Sequence, residues 1–215
     1  MRTGIVLAGG RASRFGGDKL AADLDGTSVL EATIAAVAAV TDRIIIAGPE
    51  LPAGFRAGKT PVALVRDAEP FAGPLAALSN VLREAAADPE QLAMVVGGDM
   101  PRLVPTVLRS MLDHLAGARG TDAVLLDRGP RSAEAELGPP PRPAVLPLAV
   151  RVDSAVRAAT MALDSGDRSL RALVDRLAHV ELPASTWMPL DPDANTLLDI
   201  DTAADLERVR RHDLR

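Results

Sequence analysis

The chain has 215 residues, with 47% hydrophobic side chains, only 2% aromatics, no cysteine and a formal net charge of −5. That length suits one domain with a substantial core, built here from Ala, Val, Leu and Ile. The composition excludes thiol nucleophiles and Cys-ligated zinc. The acidic balance and scarce aromatics argue against nucleic-acid binding, and no apolar run approaches the length of a membrane span. The N-terminal apolar run ends at Ala8 in glycines rather than a signal peptide, so a cytoplasmic protein is expected.

Strand and helix patterns alternate from the start. Arg2–Ala8 reads as a buried strand and runs into Leu7-Ala8-Gly9-Gly10-Arg11-Ala12-Ser13-Arg14-Phe15-Gly16-Gly17-Asp18-Lys19. Four glycines let this backbone bend close to a ligand. Arg14 and Lys19 add cations, so backbone N–H groups and two charges together suit a polyphosphate. The pattern is neither a P-loop nor G-x-G-x-x-G. Ser28–Val40 reads as a helix, with Ser28 as N-cap and Glu31 completing a capping box. Asp42–Ala47 carries Ile44-Ile45-Ile46, a β-branched run expected of a central parallel strand, and Pro61–Arg66 is a further strand. Gly73–Ala86 opens a helix with Pro74 in its first turn. Leu92–Val96 is a buried strand leading to Gly97-Gly98-Asp99-Met100-Pro101, Val104–Leu115 is a helix, and Ala123–Leu126 is a strand.

The Pro- and Gly-rich stretch Arg128–Pro143 fits neither helix nor central strand and reads as a loop. Beyond it come a strand at Ala144–Val150, helices at Ser154–Leu163 and Asp167–Leu177, a strand at His179–Leu182, a last strand at Leu197–Ile200 and a closing helix at Ala203–Arg211. This β-α alternation predicts an α/β fold, with helices on both faces of the sheet.

Four segments carry candidate chemistry. The first is the glycine-rich loop. The second is Asp99, just past a buried strand, where α/β ligand sites form. As a hard oxygen donor it suits Mg²⁺, and it reads equally as a turn residue before Pro101. The third is Leu198-Asp199-Ile200-Asp201-Thr202. Strand alternation there would put Asp199 and Asp201 on one side, with one of them a second metal ligand, or Asp201 would cap the last helix. The fourth is Asp67, with Gly73-Pro74-Leu75 behind it. Its carboxylate could accept hydrogen bonds from a base or sugar, and the helix N-terminus would favour an anion. His114, His179 and His212 lie away from these loops and read as structural.

Taken together, these residues resemble the nucleotidyltransferase family that includes molybdenum cofactor guanylyltransferase. Leu7–Lys19 is similar to its LAGG…R-x-G-G-x-DK motif, Asp67 with Gly73-Pro74-Leu75-Ala76 to its D…GPLAG segment, Asp99-Met100-Pro101 to D-x-P, and Leu198–Leu206 to its closing N-I-N-T-P-E-D-L segment. The resemblance runs essentially end to end and implies a three-layer Rossmann-like nucleotidyltransferase fold with a mostly parallel central sheet, in one domain over 1–215. It also implies Mg²⁺-dependent transfer of GMP from GTP to molybdenum-molybdopterin, releasing pyrophosphate. By that resemblance Arg14, Lys19 and Asp99 are catalytic, and Leu7, Ala8, Gly9, Gly10, Lys19, Asp67 and Asp99 bind nucleotide. Asp99 is the metal ligand it implies, with Asp201 the second candidate. The partners it implies are GTP, molybdopterin, and molybdoenzymes or cofactor-biosynthesis proteins.

The chain departs from the family pattern at several points, among them Ala203-Ala204 in place of the usual Pro-Glu after the Thr. Ala47-Gly48-Pro49 stands where guanylyltransferases of the family carry an Asn, and there, as in Asp199–Thr202, it is closer to the cytidylyltransferase relatives. Gly9-Gly10 and Asp18-Lys19 match the guanylyl form. A CTP-dependent or other small-phosphate nucleotidyltransferase and a non-catalytic cofactor-binding chaperone are the alternatives.

Overall fold

The computed structural model describes residues 1–9, 15, 17–51, 55, 58–66, 73–86, 91–127 and 145–212. Gly10, Arg14, Asp67 and the Arg128–Pro143 stretch lie outside them. Seven strands form one sheet in the order β5-β4-β1-β6-β8-β7-β9. They are β1 Arg2–Leu7, β4 Arg43–Ala47, β5 Val62–Val65, β6 Leu92–Gly97, β7 Ala123–Leu126, β8 Leu148–Arg151 and β9 His179–Leu182. The pairs β1–β4, β1–β6, β4–β5 and β7–β9 are parallel, and β8 runs antiparallel to both its neighbours. A two-stranded hairpin, β2 Asp23–Leu24 with β3 Thr27–Ser28, stands apart. The alternation of strands and helices did not reveal it, because each arm is only two residues long.

The unbroken apolar strands are explained by helices on both faces. Alternate residues of each central strand point opposite ways. Ile5, Ile45, Ala93 and Val95 pack beneath α2 (Pro74–Ala85), α4 (Val152–Asp164) and α5 (Leu170–Val174). Val6, Ile44, Ile46, Met94 and Val96 pack beneath α1 (Val29–Ala38) and α3 (Pro105–Gly117), with Trp187 of α6 (Ala184–Trp187). A third, smaller cluster joins Leu24 and Val29 to Ile200, Leu206 and Val209, which ties α7 (Ala203–His212) to the hairpin.

Three expected elements differ. The strand expected at Ala144–Val150 begins at Leu148, after Pro147, which has no N–H to give a ladder. The helix expected over Asp167–Leu177 shortens to Leu170–Val174, because Ser169 is its N-cap and accepts the Ala172 N–H at 3.1 Å. Leu197–Ile200 is not a strand. A 3-10 turn covers Asn195–Leu197, and the backbone that follows joins neither sheet. Asp199 and Asp201 are nevertheless both exposed, flanking the fully buried Ile200.

Candidate active site

Strand order reverses at β1: the chain first builds outward through β4 and β5, then crosses back to place β6 on the other side of β1. Such a switch point opens a crevice beyond the carboxyl ends of the strands. The ends of β1 and β6 bring Leu7–Gly9 and Gly97-Gly98-Asp99 to the same edge, where Lys19 also lies.

The Asp99 turn is pinned from several sides. The Gly98 N–H donates to the Leu7 carbonyl at 2.9 Å, and the Thr33 hydroxyl of α1 lies 3.1 Å from the Gly98 carbonyl and 3.0 Å from that of Val29. The Gly97 N–H meets Met100 Sδ at 3.4 Å. From the C-terminal segment, the Ile200 N–H donates to the Asp99 carbonyl at 2.9 Å. A side chain at Gly98 would meet the Leu7 carbonyl oxygen at 3.3 Å and Leu30 Cδ1 at 3.2 Å, a tight fit that would need the β1 backbone or Leu30 to give by a few tenths of an ångström.

Lys19 lies at the centre of the charged cluster. Its Nζ is 2.6 Å from Asp99 Oδ2 and 3.4 Å from Asp201 Oδ1, with the Lys19 and Asp99 side chains mostly buried and Asp201 more than half exposed. Asp18 sets this up: its Oδ1 accepts the N–H groups of Leu20 and Ala21 at 3.0 and 3.3 Å, folding the turn that aims Lys19. Burial alone would lower the Lys19 pKa. Its hydrogen bond to Asp99 and the charges of Asp99 and Asp201 more than offset that, and hold it above the ordinary value of 10.5. Asp199 is pushed the other way from most carboxylates. Its carboxyl, though exposed on one side, loses part of its hydration, which raises its pKa, and the negative charges of Asp201 and Asp99 raise it further.

Of the sequence candidates described, Leu7, Ala8, Gly9, Lys19, Asp99 and Asp201 all belong to this edge. Asp201 is not the helix cap. Thr202 and Asp205 form a reciprocal box instead: the Asp205 N–H reaches Thr202 Oγ1 at 3.2 Å, and Asp205 Oδ2 accepts the Thr202 N–H at 2.9 Å and its hydroxyl at 2.7 Å. This leaves the Asp201 carboxylate to Lys19. The T-x-x-D spacing was the signal for that box. Thr33 carried no comparable signal, because the Gly98 carbonyl it reaches belongs to a loop 65 residues away in sequence. The N-terminus of α2 does not present the expected anion site. The Leu75 N–H donates to the Arg168 carbonyl at 3.3 Å, and the N–H groups of Ala76 and Ala77 donate to Gly73 at 3.1 and 3.3 Å.

The donor set suits a hard cation. Mg²⁺ takes one or two carboxylates and fills its shell with water and substrate phosphates. Asp99 and Asp201 are two carboxylates sharing one ammonium, and among the described residues no cluster of three or more acidic, His or Cys side chains competes as a closed cage. No helix among the described residues is long and apolar enough to cross a membrane.

The chain is similar to several known proteins. Residues 4–180 match the family described as MobA-like NTP transferase domain. A protein of Xanthomonas euvesicatoria named molybdenum cofactor guanylyltransferase is 32% identical over 80% of this chain and 77% of its own length. One from Chloroflexus aggregans, named probable molybdenum cofactor guanylyltransferase, is 29% identical over 99% and 95%. Among solved structures, molybdopterin-guanine dinucleotide biosynthesis protein A of Archaeoglobus fulgidus superposes with a TM-score of 0.76 at 21% identity, covering 100% of this chain and 99% of that one. The 4-diphosphocytidyl-2C-methyl-D-erythritol synthase of Anaerococcus prevotii reaches 0.68 at 16% identity, covering 100% and 98%. These two structural likenesses bear on the fold alone, which is the Rossmann-like nucleotidyltransferase fold expected from the sequence. The family match covers well over half of the chain, and the chain therefore belongs to the MobA-like NTP transferases.

Proposed function

We propose that this nucleotidyltransferase transfers GMP from GTP to the terminal phosphate of molybdenum-molybdopterin, releasing pyrophosphate. The observation that carries the reading is the Asp99–Lys19–Asp201 cluster at the β1/β6 switch point, where an anionic triphosphate would meet both an ammonium and metal-binding carboxylates. The names borne by the Xanthomonas and Chloroflexus relatives support GTP and molybdopterin as substrates.

In the proposed reaction, an oxygen of the acceptor phosphate attacks the α-phosphorus of GTP in line. The new P–O bond forms as the α–β bridging P–O bond breaks, and the electron pair leaves with pyrophosphate. Little covalent work falls to the protein, so catalysis is positioning and charge stabilisation. Asp99 and Asp201 would hold Mg²⁺, which supplies neutralisation of phosphate charge when bound. The Lys19 ammonium, with Arg14, stabilises charge building on the leaving pyrophosphate. Backbone groups of Leu7, Ala8, Gly9 and Gly10 cradle the nucleotide, and Asp67 accepts hydrogen bonds from it.

Pyrophosphate release by the purified protein, with molybdopterin, Mg²⁺ and each triphosphate in turn, tests this reading. Turnover is expected with GTP. Turnover with CTP and none with GTP would reassign the base, and binding of molybdopterin with no turnover of any triphosphate would favour a cofactor-binding chaperone.

A further inference from the structure

One buried carboxylate takes no part in the cluster just described. Asp191 is 2% exposed and sits where the chain leaves the 3-10 turn at Met188–Leu190. Its Oδ1 accepts the Asn195 N–H at 3.0 Å and the Asn195 side-chain amide at 3.2 Å, and its Oδ2 accepts the Thr196 N–H at 2.7 Å. Among the described residues, no cation pairs with it. Three N–H donors can hold a buried carboxylate, and removing it would orphan all three. The loop they close is held in a costly shape: Ala194 has φ of +53°, the left-handed region that a residue with a Cβ seldom adopts.

The segment that Asp191 shapes is fastened to the Asp99 loop twice. Thr196 is fully buried, and its Oγ1 accepts the Val104 N–H at 3.1 Å. Four residues later, the Ile200 N–H donates to the Asp99 carbonyl at 2.9 Å. The next residue is Asp201, whose carboxylate faces Lys19. One irregular connector therefore grips both ends of 99–104 and delivers Asp201.

We propose that Asp191, acting through Thr196, is a positioning residue for nucleotidyl transfer: it clasps residues 191–200 onto the Asp99–Val104 loop and thereby sets Asp99 against Asp201 and Lys19. This rests on the reading of that cluster as the reaction centre. Displacing catalytic groups by about an ångström costs up to about a hundredfold in rate, so a clasp far from the substrate acts on turnover without touching the nucleotide.

The test compares T196V, T196S and D191A in the full chain. T196V keeps the shape of the side chain but loses the acceptor for Val104, whereas T196S retains it. Amide exchange at Val104 and Ile200 is expected to quicken about tenfold or more in T196V and to stay near wild type in T196S. In T196V, kcat for GTP-dependent pyrophosphate release should fall about tenfold with KM for GTP within about twofold, and T196S should restore it. D191A should follow T196V and exceed it. If D191A does not fold, the Thr196 pair decides. Unchanged exchange at Ile200 in T196V would overturn the clasp. Faster exchange with unchanged kcat, or an equal loss in T196S, would overturn its role in turnover. If the wild-type protein turns over no triphosphate, the functional reading falls, while the exchange comparison still decides the clasp.

Discussion

At the scale of single residues, Lys19 and Asp199 make opposite demands on pH. The Lys19 pKa is raised by Asp99 and Asp201, so the folded state binds its proton more tightly than the unfolded chain does. That contribution to stability is fully present below pH 10.5 and is lost as pH climbs through the higher folded value. Urea unfolding of wild type against K19M should show a gap at pH 8 that narrows by pH 11. Asp199 is also raised, but as an acid, so ionising it costs stability once pH exceeds 3.8. D199N should therefore be more stable than wild type at pH 7 in metal-free buffer, by less than about 1 kcal/mol given its exposure. The two proteins should converge below pH 3.8. A D199N protein less stable than wild type at pH 7 would contradict the electrostatic account.

At the scale of elements, legibility followed the range of the interactions involved. The α1 capping box was readable because both partners lie within four residues: the Glu31 N–H donates to Ser28 Oγ at 3.1 Å, and the Ser28 N–H donates to Glu31 Oε2 at 2.9 Å. S28A should cost about 1 kcal/mol in thermal unfolding, with turnover little changed. Within the connector 191–200, Leu197–Ile200 has the look of a strand in the sequence because Leu197, Leu198 and Ile200 give a run of apolar character. Its real shape is set by Asp191, Ala194 and Thr196 and by a partner about 90 residues away in sequence. Gly98 tests the opposite case, a local residue with a distant constraint. G98A would push a Cβ against the Leu7 backbone, which cannot swing aside as a side chain can. It should destabilise by about 1–3 kcal/mol and lower turnover by displacing Asp99. An active G98A protein of wild-type stability would show that β1 and β6 have slack at the switch point.

At the scale of the molecule, the sheet needed little beyond its hydrophobic runs. Strands buried on both faces read as near-continuous apolar segments, and β4, β6 and the Ile5–Leu7 half of β1 do. The antiparallel direction of β8 was not legible, because a single four-residue strand carries no sign of its direction. Strand order was not legible either, and it is strand order that creates the crevice: β6 crosses back to the far side of β1, and the two glycine-bearing strand ends meet there. Asp99 and Lys19 are 80 residues apart in sequence, and Lys19 and Asp201 are 182 apart, yet one ammonium joins all three. The most direct test of this cluster as a nucleotidyl-transfer centre is Mg²⁺-dependent pyrophosphate release from GTP, with molybdopterin present, by wild type and D99N side by side. The expected result is robust release by wild type and a loss of about a hundredfold or more in D99N, with thermal midpoints close together. Equal release by the two proteins would contradict it.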